Sequence, residues 1–134
     1  MSIFGLNLDL FYCFYLLVVF PIPLYLLLSG LCYLFFPYKK INNIIGYRST
    51  RSKSHSSAWL FAQRHSGAYR IIFGSLMLFI MIVISLFLFK ASSDVLENAY
   101  KIIIFIEIIL GNLVQVPTEL ALRRKFNLFS NKKN

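Results

Sequence analysis

Acidic side chains are scarce in this sequence, and so are charges in general. Five Asp and Glu residues stand against 14 Lys and Arg residues, which gives a formal net charge of +9. Charged residues make up only 14% of the 134 residues, whereas 58% are hydrophobic. A soluble domain of this size has too little interior to hide so much apolar surface, so the excess implies contact with lipid. The composition therefore excludes an ordinary soluble protein and predicts an integral membrane protein.

Cysteine is also rare, and its placement argues against two kinds of site. Cys13 and Cys32 lie in one predicted helix, near opposite faces of the membrane, so they are too far apart to bridge within one chain. His55 and His65 have no partners at the intervals of a metal site. The polar linker contains neither a nucleophile–base pair nor paired carboxylates. We therefore predict no metal, no cofactor and no catalytic residue.

Long apolar runs are what the sequence has instead. The first runs from Leu10 to Phe36 without a charge, the second from Ile71 to Phe89, and the third from about Val95 to Val116. A helix needs about 20 residues to cross a bilayer core. The lengths predict an all-α, polytopic membrane protein with three transmembrane helices, forming a single membrane domain over residues 1–134.

Two features inside the predicted crossings carry further expectations. Pro21 and Pro23 predict a kink, because proline removes a backbone donor and clashes with the preceding turn. The kink fits a bent anchor helix, or a gating hinge or ligand cleft. Glu107 lies near the middle of the third crossing, where a carboxylate must be neutral, paired or in a wet cleft. Gly111 and Gln115 follow at intervals of four on the same face. Either a protonated Glu107 is hydrogen-bonded between helices, with Gly111 allowing close packing, or it forms a proton or ligand site.

Basic residues gather in two segments that three crossings place on one side of the membrane. The linker, residues 37–70, has seven Lys and Arg residues and no acid, and the tail, residues 117–134, has five against one acid. Membrane proteins collect Lys and Arg on the cytoplasmic side. We therefore predict an N-terminus outside and a cytoplasmic C-terminus. This bias explains most of the charge, so the predicted partner is the lipid bilayer and not nucleic acid.

The linker contains the densest run of special residues. Gly46 permits a backbone angle that other residues avoid, which predicts a tight reversal. A helical pattern over residues 56–66 predicts a short helix lying in the headgroup region, anchored by Trp59, the only tryptophan. Gly67 is then the elbow at which the chain turns into the second crossing.

Four short motifs follow one another along the linker and the tail. They are N-x-x-x-G-Y-R-S-x-R-S at residues 42–52, Trp59, F-A-Q at residues 61–63 followed by Gly67, and P-T-E-L-A-L-R-R-K-F at residues 117–126. Over about residues 37–126 this order resembles the SdpI-type family of small bacterial membrane proteins, named for immunity to a secreted sporulation-delaying toxin. The resemblance implies an immunity protein of the bacterial cell membrane, which is not an enzyme. Such a protein protects the producing cell from a membrane-active peptide toxin or bacteriocin by binding or excluding it in the bilayer.

The sequence departs from the family pattern in ways that limit what the resemblance implies. Ser49 stands where the family has threonine, which keeps the hydroxyl, and Lys53 stands where methionine is common. Larger family members have an additional N-terminal membrane half that we do not expect here. Sequestration of a transcriptional repressor, which the best-known member performs, is therefore not carried over. A hydrophobic peptide toxin and a cytoplasmic regulator both remain open as partners, and the oligomeric state is not predicted.

Arg48 is the central side chain of the motif. Its planar guanidinium can hold a phosphate or carboxylate with two bonds. The acceptor is either an internal one, Glu119, or an anionic ligand such as a lipid headgroup or the C-terminal carboxylate of a peptide. The alternative function is a small transporter or lipid-binding module built around Glu107 and Arg48. The residues predicted to bind a ligand or partner, or to form an internal latch, are Asn42, Gly46, Tyr47, Arg48, Ser49, Ser52, Trp59, Gln63, Glu107 and Glu119.

Overall fold

The chain is mainly helical. The computed structural model describes the backbone of residues 2–3, 6–7 and 9–130 and the side chains of residues 9–126. The helices are α1 (Leu10–Val19), α2 (Pro21–Phe35), α3 (Ser56–Phe87), α4 (Ser93–Leu113) and α5 (Val116–Ser130). Two short strands, β1 (Ser2–Ile3) and β2 (Leu6–Asn7), pair antiparallel before α1. The all-α prediction is confirmed, while the last four residues of the predicted basic tail lie outside the described residues.

Three helical stretches of the described chain are long and apolar enough to cross a membrane. They are Leu10–Phe35, Ser56–Phe87 and Ser93–Phe126. At most 28% of the most apolar part of each stretch is buried inside the protein. Many of the other apolar side chains, such as Phe79 and Phe105, are exposed on the outside of the protein, where an apolar surface is stable only against lipid. The predicted polytopic membrane protein with three spanning segments is confirmed.

The first spanning stretch is broken at the position of its prolines. α1 ends at Val19, and α2 begins with Pro21 at its first position. Proline is tolerated there because the first N–H groups of a helix have no partner within the helix in any case. The backbone N–H of Phe20 still donates to Leu16 O at 3.2 Å, so the two helices remain closely joined. The kink expected from Pro21 and Pro23 is present.

α3 does not have the predicted elbow. It continues without a break from Ser56 to Phe87, and its 32 residues correspond to about 48 Å, well beyond a bilayer core of about 30 Å. The prediction of a separate interfacial helix that ends at Gly67 is therefore wrong. A Cβ atom at Gly67 would lie 2.7 Å from Leu34 N of α2, so this glycine serves close packing instead of a turn.

α2 and α3 contact each other backbone to backbone through three glycines. Besides Gly67, a Cβ atom at Gly74 would lie 2.7 Å from Leu27 N, and one at Gly30 would lie 2.9 Å from Gly67 O. Small residues at such contacts let helices in membranes approach closely. Gly111 on α4 is different, because a Cβ atom there would meet no atom of the described residues within 4 Å. The close packing predicted at Gly111 is therefore absent.

Many of the buried apolar side chains in the described part of the chain fall into two clusters. One joins the ends of α1, α3 and α4, and its members are Tyr12, Tyr15, Val19, Met81, Leu96 and Ile103. The other joins the linker to α3 and α5, and its members are Tyr47, Ala58, Ala62 and Leu122, with Phe61 and Phe126 packed against them. The second cluster positions the motif loop, residues 42–52, between α3 and α5.

Candidate functional site

Gln63 of α3 makes two hydrogen bonds to the motif loop. Its Oε1 accepts a hydrogen bond from the Tyr47 N–H at 2.8 Å, and its Nε2 donates to Tyr47 O at 2.9 Å. Gln63 is fully buried, so these bonds satisfy an amide that would otherwise be costly to bury. The contact requires glycine at position 46, where φ is 101° and a Cβ atom would lie 2.6 Å from Gln63 Oε1. The unusual backbone angle predicted for Gly46 is confirmed.

Short-range hydrogen bonds fold the rest of the motif loop. Asn42 Oδ1 accepts from the N–H groups of Ile44 at 3.0 Å and Ile45 at 2.8 Å. The Ser49 N–H donates to Ser52 Oγ at 2.8 Å, and the Ser52 N–H donates to Ser49 Oγ at 3.1 Å. Side chains of these types stabilise turns by such local bonds. Asn42, Ser49 and Ser52 therefore hold the shape of the loop.

Glu119 of α5 receives two bonds from the motif loop. Arg51 Nη1 lies 2.6 Å from Glu119 Oε1, and the Tyr47 hydroxyl donates to Oε2 at 3.2 Å. Burial and the neighbouring Glu119 raise the pKa of Tyr47 to about 12, so the phenol stays protonated and donates. The predicted pair of Arg48 with Glu119 is wrong. The side chain of Arg48 is exposed and donates to Asn43 O within the loop, whereas Arg51 reaches α5.

Trp59 lies inside the protein and not among headgroups. Its side chain is fully buried, and its indole Nε1–H donates to Tyr38 O at 2.6 Å. The role predicted for Trp59, an anchor in the headgroup region, does not fit this position. The residue instead holds the start of the linker against α3.

Two further buried contacts, which the sequence analysis missed, join α5 to α3. Thr118 is fully buried, and its Oγ1 lies 3.1 Å from His65 Nδ1. Leu122, one turn later, is also fully buried. Thr118 belongs to the P-T-E-L segment of the tail motif, so its place in that motif was the only available signal. These contacts bring Glu119 to the motif loop, and together with the loop's bonds they form the latch: Gly46, Tyr47, Ser49, Arg51, Ser52, Gln63, Thr118 and Glu119.

Glu107 does not belong to this latch. It is 1% exposed, and neither carboxylate oxygen has a hydrogen-bond partner among the described residues. The interhelical hydrogen bond considered for Glu107 is therefore not formed within that part of the chain. Over the same residues, no group of three or more His, Cys, Asp and Glu side chains is arranged to hold a metal ion.

The comparison with known families covers most of the region just described. A model of the SdpI/YfhL protein family matches residues 39–118, which is more than half of the chain. The match includes the motif loop, α3 and α4, and it ends one residue before Glu119. No curated protein and no solved structure matches the chain. On the strength of the family match, this chain belongs to the SdpI/YfhL protein family.

Proposed function

We propose that this protein is an immunity protein that protects the producing cell from a membrane-active peptide toxin. The observation that carries the proposal is the family match over residues 39–118, which contains the motif loop and two spanning helices. The three apolar stretches support it further, because they are long and apolar enough to cross the bilayer in which such a toxin acts. The toxin is a secreted hydrophobic peptide, and the protein binds or excludes it within the bilayer.

The latch contributes to this function by keeping the spanning helices in one arrangement. Gln63 fixes the motif loop to α3, and the ion pair of Arg51 with Glu119 fixes the same loop to α5. The outward-facing apolar side chains of the helices offer packing contacts to a hydrophobic peptide in the bilayer. Protection therefore depends on the arrangement of the helices and needs no catalytic step.

The experiment that tests immunity is deletion of the gene followed by challenge with culture supernatant of the same strain. We expect the deletion strain to lose viability and a plasmid copy of the gene to restore it. The matched variants are Glu119→Gln, which breaks the latch, and Glu97→Gln, which breaks the exposed pair of Glu97 with Lys101. At equal abundance in the membrane, only Glu119→Gln should reduce protection. Equal survival of the parent and deletion strains would exclude immunity to a toxin of that strain.

A second candidate, a small transporter built around Glu107 and Arg48, is favoured by the buried carboxylate. Glu107 has no described hydrogen-bond partner although it lies in a spanning helix, and a proton-coupled carrier requires a carboxylate that changes its charge there. Glu107→Gln distinguishes the two functions, because the amide has nearly the shape of a protonated acid but cannot release a proton. If the protein protects by binding the toxin, this variant should protect fully. If it acts by proton-coupled transport, this variant should lose protection completely.

A further inference from the structure

A polar cavity of ≈ 350 Å³ lies between α2, the motif loop, α3 and the turn that joins α4 to α5. Its lining contains two arginines, Arg48 and Arg70, and no acidic residue, and it also includes Tyr33, Gly46, Tyr47 and Gln115. A cavity with two fixed cations and no counter-charge in its wall attracts anions.

Arg70 is the buried cation of this cavity. Arg70 is only 8% exposed. The ring of Tyr33 covers its guanidinium group, whose carbon lies 4.9 Å from the ring centroid. Nε donates to Ser66 Oγ at 3.3 Å, and Nη1 donates to Ser29 Oγ at 3.0 Å. Both acceptors are neutral hydroxyls, so they orient the guanidinium without balancing its charge.

The charge of Arg70 has no counter-ion in the described part of the chain. No Asp or Glu there lies within ion-pair distance of it, and the hydrogen bonds that its guanidinium makes there are those of Nε and Nη1 to the two serine hydroxyls. Burying a charge without a partner costs free energy. That cost is offset when the N–H donors of the buried group bind an anion. Arg48, the second arginine, is exposed at the cavity wall that the motif loop forms.

We propose that the cavity binds a phosphate group, with Arg70 as the buried anchor and Arg48 as the outer donor. Guanidinium groups match phosphate oxygens in pairs, and a phosphate can accept from two arginines on different sides. Arg70 directly precedes the apolar run that begins at Ile71, so we expect the cavity to lie near the membrane surface, where lipid phosphates are found. The phosphate belongs either to a lipid headgroup or to free phosphate. This inference does not depend on the proposed immunity function.

The experiment measures binding to the full chain in neutral, phosphate-free detergent, with no toxin present. Phosphatidylglycerol is titrated by native mass spectrometry, and inorganic phosphate by calorimetry at constant ionic strength. We expect Arg70→Gln to weaken binding about tenfold or more, because it removes charged hydrogen bonds from a buried position. The control is Arg64→Gln, which removes the same charge from an exposed position on the same helix and should change binding less than about twofold.

Each outcome decides between the sources or overturns the proposal. Binding of phosphatidylglycerol alone indicates a lipid headgroup, and binding of inorganic phosphate alone indicates free phosphate. If Arg70→Gln does not fold, Arg48→Gln serves instead, since its side chain is exposed, and we expect it to weaken binding about fivefold. Absence of binding to both probes would overturn the proposal. An equal loss of binding in Arg64→Gln and in the cavity variants would also overturn the proposal.

Discussion

At the scale of the residue, Glu119 has more partners than its exposure suggests. It is one of only five acidic residues, and each of its oxygens is engaged by a different side chain of the motif loop. Without it, Arg51 has no described carboxylate partner, and the Tyr47 hydroxyl keeps only Gln115 O at 3.4 Å. The attachment of the loop to α5 therefore depends strongly on this one carboxylate.

We expect Glu119→Gln to lower the free energy of unfolding by roughly 1–2 kcal/mol, because a charged and a neutral hydrogen bond are weakened at a site that solvent partly screens. Thermal unfolding of the purified protein in detergent measures the change. Glu97→Gln is the matched control, because Glu97 also lies 2.6 Å from a basic side chain but is exposed. Equal destabilisation by the two variants would contradict the structural importance of the latch.

The buried position of Trp59 can be tested directly, since the chain has no other tryptophan. Its fluorescence should resist both iodide in the water phase and quenchers attached to lipid headgroups, because protein atoms surround the fully buried ring. Trp59→Phe should further destabilise the protein, because Tyr38 O then loses its donor. Strong quenching from the headgroup region would instead support the interfacial position that the sequence favoured.

At the scale of the element, the pairing of α2 with α3 requires residues without a side chain. Gly67→Ala places a methyl group 2.7 Å from Leu34 N, and backbone cannot move aside as a side chain can. We expect a loss of roughly 1–3 kcal/mol in stability, the usual effect of overpacking. Gly111→Ala, whose added methyl meets nothing within 4 Å, should have no such effect in the same unfolding assay.

If Gly111→Ala lowered the stability more than Gly67→Ala does, the result would contradict the observed packing. Variant abundance in the membrane provides a second measurement, because a disrupted helix pair is degraded more readily. Gly74→Ala offers a repeat of the test one contact further along α3, again with 2.7 Å between the added Cβ and a backbone nitrogen.

The spanning segments and the kink could be predicted from the sequence, because they depend on residues that are neighbours in the chain. An apolar run of sufficient length predicts a crossing whatever it contacts, and Pro21 at the start of α2 ends the preceding helix through its own covalent structure. The turn at Gly46 was predictable for a similar reason, since glycine adopts a positive φ without the steric cost that other residues pay. The spanning helices and the turn of the motif loop could thus be predicted.

Contacts between elements could not be predicted in this way. Gly67 fits an elbow or a close contact equally well, and only the position of α2 decides between them. Arg48 and Arg51 lie three residues apart in the same basic loop, so the sequence did not show which one reaches Glu119. Trp59 suits an interface or a core, because an indole has an apolar body and one donor.

At the scale of the whole molecule, the orientation in the membrane remains a prediction. The contact between the motif loop and α5 requires both to lie on one side, as three crossings provide. With the basic linker and tail in the cytoplasm, a reporter that is active only there should be active after Asn134 and silent near Ser92. A silent reporter after Asn134 and an active one near Ser92 would contradict the orientation.

The unbroken course of α3 joins the motif loop to the spanning stretch through one continuous helix. The half of the helix that carries Gly74 and Met81 faces its neighbours along the spanning stretch, while the half that carries Gln63 holds the motif loop. Because one continuous helix carries both halves, a change in the packing of the spanning half should shift the motif loop at the other end.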